Sequence, residues 1–123
     1  MTESVTITEV SEKGNLSKIS YVYVTAADGT ATGETLSDYS GKIAYVISDP
    51  GATAPTEGWN FQIQNEDNYD LLKGAGTDRS ATITEYLHGD KDGLGVSVRE
   101  KLTLEVTNGG NTKGGTVVVY LVR

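Results

Sequence analysis

Apolar and polar residues alternate at every second position along most of the chain. The clearest case is the segment 58–65, in which Trp59, Phe61 and Ile63 alternate with Asn and Gln residues. A period of two is typical of a strand with one side toward a core and the other toward water. Nowhere do apolar residues recur at helical spacing over a dozen positions. We therefore predict an all-β chain with little or no helix.

Seven further segments have strand-like sequence, and Gly, Pro, Asn and Asp cluster between them as in β-turns. These segments are 4–10, 16–26, 41–49, 69–72, 81–88, 94–108 and 115–122. The segment 94–108 changes phase between Val98 and Leu102, which predicts a bulge or turn near residues 99–101. About eight strands joined by such turns favour an antiparallel β-sandwich of jelly-roll or immunoglobulin-like type.

The same alternation predicts which side chains share a face. In 41–49, Ile43, Tyr45 and Ile47 are expected on one face, and in 81–88, Ile83 and Leu87 are expected together. Trp59 is expected in the core. The 123 residues suit a single sandwich domain, 1–123. Residues 1–12 have little apolar content and are expected either to join the sandwich or to form an extended N-terminal arm.

Two segments are apolar on both sides. In 16–26, Ile19, Tyr21 and Tyr23 oppose Val22 and Val24, and 115–122 is apolar at nearly every position. A sandwich covers only one side of each sheet, so the second side needs a loop, the arm or another protein molecule. The residues predicted to make such an interface are Val5, Ile7, Tyr21, Tyr23, Val118, Tyr120 and Val122.

Charge and composition exclude several classes of function. Seventeen acidic residues against ten basic ones give a net charge of −7, which disfavours nucleic acid as a partner. No apolar run approaches the ~20 residues that span a membrane. The absence of cysteine excludes disulfides and thiol chemistry.

Candidate reaction centres are few. His88 stands alone at a predicted strand end, and Gly74-Ala75-Gly76 lacks the Lys and the helix of a phosphate-binding loop. The acidic residues Glu66, Asp67 and Asp70, and the fragment 90–93, leave a calcium site as an alternative to ordinary turns. We predict no enzyme and no cofactor.

The stretch from Ser48 to Glu85, followed by 102–123, resembles small all-β proteins encoded among the head genes of tailed bacteriophages. The similarity covers roughly residues 41–123, and its motifs are turn and core residues. The matching positions are Pro55, Thr56, Trp59, Ile63, Asp70, Leu72, Gly74, Gly76, Arg79, Leu102, Leu104, Gly115, Val117 and Tyr120.

The resemblance implies a virion protein on the capsid surface, made in the host cytoplasm. It implies a decoration (cement) protein that binds the lattice of the major capsid protein as a homo-oligomer, a trimer being favoured. Two alternatives stay open: another virion component of the tail, neck or head fibre, and a carbohydrate-binding or adhesion module with an exposed aromatic platform.

Overall fold

Two antiparallel sheets make up the part of the chain that the computed structural model describes, residues 4–11, 16–36, 38–88 and 97–122. These residues contain nine strands and no helix. The strands are β1 (Ser4–Ser11), β2 (Leu16–Val24), β3 (Ala31–Glu34), β4 (Tyr39–Pro50), β5 (Asn60–Gln64), β6 (Glu85–His88), β7 (Ser97–Glu100), β8 (Thr103–Thr107) and β9 (Gly114–Val122). The predicted all-β, antiparallel sandwich-like fold is confirmed.

The larger sheet places the last strand of the chain at its centre. Its order is β1-β2-β9-β4-β6, and β7 pairs with the first part of β4. The smaller sheet has the order β3-β8-β5. None of the described residues belongs to a helix of the length and hydrophobicity that crossing a membrane requires.

The core lies between the two sheets and is centred on Trp59. The Trp59 ring is fully buried, with its centroid 5.6 Å from that of Tyr23 and 5.5 Å from that of Phe61. Its Nε1 donates a hydrogen bond to the Ser80 carbonyl at 3.1 Å. Burial of each such side chain contributes about 1.5–3 kcal/mol. The prediction that Trp59 belongs to the core is confirmed.

The N-terminal segment is a strand of the larger sheet and not a detached arm. All eight residues of β1 pair with β2. Val5 and Ile7 pack against the core, and Gly33 of β3 makes room for Val5, since a Cβ there would lie 2.6 Å from Val5 Cγ1. The expectation of an extended arm is therefore wrong for residues 4–11. Residues 1–3 and 12 lie outside the described residues.

The predicted break in the segment 94–108 is where the chain changes sheets. β7 pairs with β4 in the larger sheet, and β8 lies at the centre of the smaller sheet. Lys101 and Leu102 join the two strands. The predicted break near residues 99–101 is therefore confirmed in position, but it is neither a bulge nor a turn: β7 continues to Glu100, and the two residues after it carry the chain from one sheet to the other.

Two strand predictions need correction, and one strand was missed. Residues 69–72 form a turn, with only Asp70 bridged to Gln64, because the Asp70 carboxylate holds the backbone in a turn. Ile83 does not share a face with Leu87: it precedes β6 and is 64% exposed, whereas Leu87 is buried. The short strand β3 was not predicted, because its sequence Ala-Thr-Gly-Glu has little β-forming pattern.

Candidate functional site

The most distinctive surface is the outer face, by which we mean the side of the larger sheet that points away from the smaller sheet. On β9, the side chains of Val117, Val119 and Leu121 are fully buried and point toward the core. The residues between them therefore point outward. The register of β2 and β4 against β9, and of β6 against β4, then defines the rest of the surface. Its members are Lys18, Ser20, Val22, Lys42, Tyr45, Ile47, Asp49, Tyr86, Thr116, Val118, Tyr120 and Val122.

One row of the outer face is a stack of a lysine and two tyrosines. Tyr120 pairs with Lys18 on one side and with Tyr45 on the other. The two rings are stacked, with centroids 4.6 Å apart and planes 18° apart, and Lys18 Nζ lies 5.9 Å from the Tyr120 centroid. Because both sides of Tyr120 are covered, its ring forms a ridge. It offers no open platform of the kind that stacks on a sugar.

The next row is the apolar centre of the outer face. Val118 pairs with Ile47, and Ile47 pairs with Tyr86. The Tyr86 side chain is 57% exposed, and Val22, which lies diagonal to Val118, is 47% exposed. Contiguous exposed apolar groups of this kind mark interaction surfaces on soluble proteins.

A β-bulge at Ala44 creates this surface. The register between β4 and β9 shifts between Ile43 and Tyr45. As a result Ile43, Val46 and Ser48 are buried, whereas Tyr45 and Ile47 point outward. The prediction that Ile43, Tyr45 and Ile47 share a face is therefore wrong. The extra residue reverses which side chains face the core after the bulge. Because residues 43 to 47 are all apolar, no alternation of polar and apolar residues reveals this reversal in the sequence.

Charged residues stand at opposite ends of the outer face on the same strand. Lys42 and Asp49 are both exposed on β4, and Tyr45 and Ile47 lie between them. One Asp49 carboxylate oxygen accepts a hydrogen bond from the Thr84 hydroxyl at 2.9 Å. The outer face thus has a basic end and an acidic end with an apolar centre.

The outward side of the smaller sheet has different chemistry. Gln64 Nε2 donates to Gln62 Oε1 at 2.7 Å and to Glu105 Oε2 at 2.9 Å, which ties β5 to β8 across that surface. The residues directed away from the core on these strands are Thr32, Glu34, Asn60, Gln62, Gln64, Thr103, Glu105 and Thr107. They are all polar, so this side is suited to water and the outer face is suited to contact.

The predicted interface residues divide between these surfaces and the core. Tyr21 and Tyr23 are buried at 0% and 1% exposure, so their prediction as interface residues is wrong. Large aromatic rings contribute most when buried, and Tyr21 also donates its hydroxyl to the Leu102 carbonyl at 3.0 Å. Val5 and Ile7 are half-buried against the core.

Val118, Tyr120 and Val122 do lie on the outer face, and their role as contacts stays a prediction. Sequence reasoning missed Lys18, Tyr45, Ile47 and Tyr86. Only the strand register brings these four beside β9, and register between distant strands is not encoded in local pattern.

Of the candidates for chemistry, Asp70 has a structural role. The Asp70 carboxylate accepts hydrogen bonds from the backbone N–H groups of Leu72 and Gly74 at 3.0 and 2.9 Å, so it caps the turn predicted at 74–76. His88 is the last residue of β6, as predicted. No group of three His, Cys, Asp or Glu side chains among the described residues could hold a metal ion. The fragment 90–93 lies outside them.

No protein family, curated protein or solved structure matches the chain. Its function must therefore be argued from the fold and from the outer face.

Proposed function

We propose that the chain is a structural virion protein of a tailed phage, and specifically a capsid decoration protein that binds and stabilises the head lattice. The observation that carries this proposal is the contrast between the two sides of the sandwich. The outer face is aromatic and apolar with charged ends, and the outward strand residues of the smaller sheet are all polar. A small domain with one adhesive side suits a protein that covers a larger assembly. The resemblance of residues 41–123 to phage head proteins supports the same class.

The mechanism would be stabilisation by selective binding. A subunit that binds only the expanded lattice of the major capsid protein lowers the free energy of that state by an amount set by its concentration and affinity. Contacts made by several linked subunits raise the total affinity through effective concentration. Burial of the outer face would supply the apolar part of this binding, at about 25 cal/mol per Å² of apolar area.

A second virion location, in the tail, neck or head fibre, would use the same outer face. Tyr120 gives no support to the carbohydrate-binding alternative, because Lys18 and Tyr45 cover both sides of its ring. What distinguishes the virion locations is the particle that binds the protein.

Co-sedimentation with purified phage heads tests the proposal. We expect the wild-type protein to sediment with expanded heads and not with unexpanded ones. Val118→Lys adds a charge at the apolar centre of the outer face and should weaken binding at least tenfold, since it would place an unpaired charge in a dry contact.

Thr32→Lys is the matched control, because it adds the same charge on the opposite, polar side of the molecule. Its binding should equal that of the wild type. Wild-type protein that ignores heads and sediments with tails or fibres would move the proposal to that location. Equal binding by the Val118→Lys variant would remove the outer face from the proposal.

A further inference from the structure

We infer that the outer face binds a second copy of this chain, through a two-fold axis that crosses β4 between Tyr45 and Ile47. The inference goes beyond the proposed function, because a second copy would cover the same outer face as the lattice: the dimer is the form of the free protein, and it dissociates before a subunit binds a head. Its test needs no phage. It depends on the arrangement of charge along β4, on the apolar centre and on the area of the outer face.

The charges on β4 are self-complementary. Lys42 and Asp49 lie on the same strand on either side of Tyr45, and both point outward. A two-fold axis in the plane of the contact and perpendicular to β4 places the two copies of β4 antiparallel. Asp49 of each copy then faces Lys42 of the other. A self-complementary patch of this kind is what an isologous interface requires.

The packing geometry tolerates the twist of the sheets. Face-to-face sheets pack with their strands about 30° apart. Lys42 and Asp49 lie at the two ends of β4, so the angle moves Lys42 of one copy sideways by roughly 5 Å relative to Asp49 of the other. A lysine side chain can span that displacement. Two symmetry-related ion pairs would therefore form at the rim while the centre stays dry.

The centre of the contact would be formed by residues that two copies can bury against each other. Val118, Ile47 and Tyr86 form the apolar row, and the Tyr45–Tyr120 stack stands beside it. The tyrosine hydroxyls and Lys18 Nζ are at the tips of their side chains, so they can pair across the contact or reach water. No charged residue of the outer face lies within the apolar row.

The area is that of a reversible dimer. The four strands that carry the outer face, about 4.8 Å apart, and the six register steps between Lys42 and Asp49 give a face of roughly 19 by 20 Å, or about 400 Å² on each copy. The total of about 800 Å² is in the range of weak, transient association. We therefore expect a dissociation constant of roughly 1–100 μM.

Two copies would otherwise repel each other, since each carries a net charge of −7. Association thus needs local complementarity, which makes it sensitive to the two β4 charges. This sensitivity distinguishes a second copy from the capsid lattice as the partner of the outer face. Only a second copy places its own Asp49 opposite Lys42 and its own Lys42 opposite Asp49.

Sedimentation equilibrium of the pure, full-length protein in low salt tests the inference by charge exchange. Lys42→Asp and Asp49→Lys should each weaken association about tenfold, because each change creates two like-charge contacts. The double variant Lys42→Asp/Asp49→Lys restores both pairs with reversed sign and should recover most of the affinity. Matched controls are Lys73→Asp and Asp67→Lys, which make the same charge changes at exposed turn positions away from the outer face.

Recovery in the double variant, with unchanged controls, supports the two-fold contact. A protein that stays monomeric up to roughly 0.1 mM overturns it, as does a dimer that is indifferent to the β4 charges. The proposed function fails separately. A dimer that responds to the charge exchange but does not bind any phage particle upholds this inference and contradicts the virion role.

Discussion

Tyr21 and Tyr23 lie two residues apart on β2, and both point into the core, but only one of their hydroxyl groups is satisfied. Tyr21 donates to the Leu102 carbonyl, whereas the Tyr23 hydroxyl has no hydrogen-bond partner among the described residues. Gly115 makes room for it, since a Cβ there would lie 3.0 Å from the Tyr23 hydroxyl oxygen. Two chemically identical residues on one strand therefore should contribute differently to stability.

Replacement of each tyrosine by phenylalanine measures that difference. Tyr21→Phe should lower the free energy of unfolding by about 1 kcal/mol, because the Leu102 carbonyl keeps only the hydrogen bond from the Thr35 N–H. Tyr23→Phe should leave it unchanged or raise it by up to about 1 kcal/mol, because an unpaired buried hydroxyl is removed. Urea unfolding compares the two variants, and an equal loss in both would contradict this assignment.

Alkaline pH gives a second readout of the same pair. Burial raises the pKa of Tyr23 far above the ordinary value near 10. Above pH 10 the unfolded chain ionises this tyrosine and the native chain does not, so the stability present below pH 10 is lost as the pH rises. The loss is about 1.4 kcal/mol per pH unit for one proton, and Tyr23→Phe should decline less steeply than the wild type by about that slope.

At the scale of elements, alternation identified strands wherever one side of the strand was polar. β5 was predicted within the segment 58–65, because Asn60 and Gln62 mark its wet side. β4 was located correctly, but its faces were assigned wrongly. Its centre is apolar at five successive positions, and the phase depends on a bulge at Ala44 that only pairing with β9 reveals.

The turn from Asp70 to Arg79 shows what a local motif can encode. The glycines of this turn were interpreted as structural and its acid as either a turn residue or a calcium ligand, and each has a distinct task. Gly74 has a φ of +84° with no neighbour near its missing Cβ, whereas a Cβ on Gly76 would collide with the Phe61 carbonyl oxygen. Phe61 N–H donates to the Gly76 carbonyl at 3.0 Å, so this close approach ties the turn to β5.

Alanine substitutions at the two glycines should therefore differ. Gly74→Ala should cost about 1 kcal/mol, which is the cost of a positive φ for an L residue. Gly76→Ala should cost more than about 2 kcal/mol, because backbone must move away from backbone in a packed region. Thermal unfolding distinguishes the two, and a milder effect at Gly76 than at Gly74 would contradict the close approach of the turn to β5.

At the scale of the whole molecule, the two sides of the sandwich are the feature that relates structure to role. Sequence pattern indicated that β9 is apolar on both sides, and its outward residues Val118, Tyr120 and Val122 do lie on the outer face. It could not indicate Lys18, Tyr45 or Tyr86 as their neighbours, since these come from strands far apart in the chain. It also could not show that β2 turns its aromatic side fully inward.

Hydroxyl-radical footprinting at low and high protein concentration tests most directly whether the outer face is buried in an assembly. Tyr86 on the outer face and Tyr69 in the turn beside the smaller sheet are 57% and 69% exposed in the single chain, so they should oxidise at similar rates when the protein is dilute. On concentration, or on binding to heads, the account predicts that oxidation of Tyr86 and of the strand that contains Tyr120 falls several-fold while that of Tyr69 is unchanged. Protection of Tyr69 with Tyr86 still reactive, or protection of neither, would contradict the account.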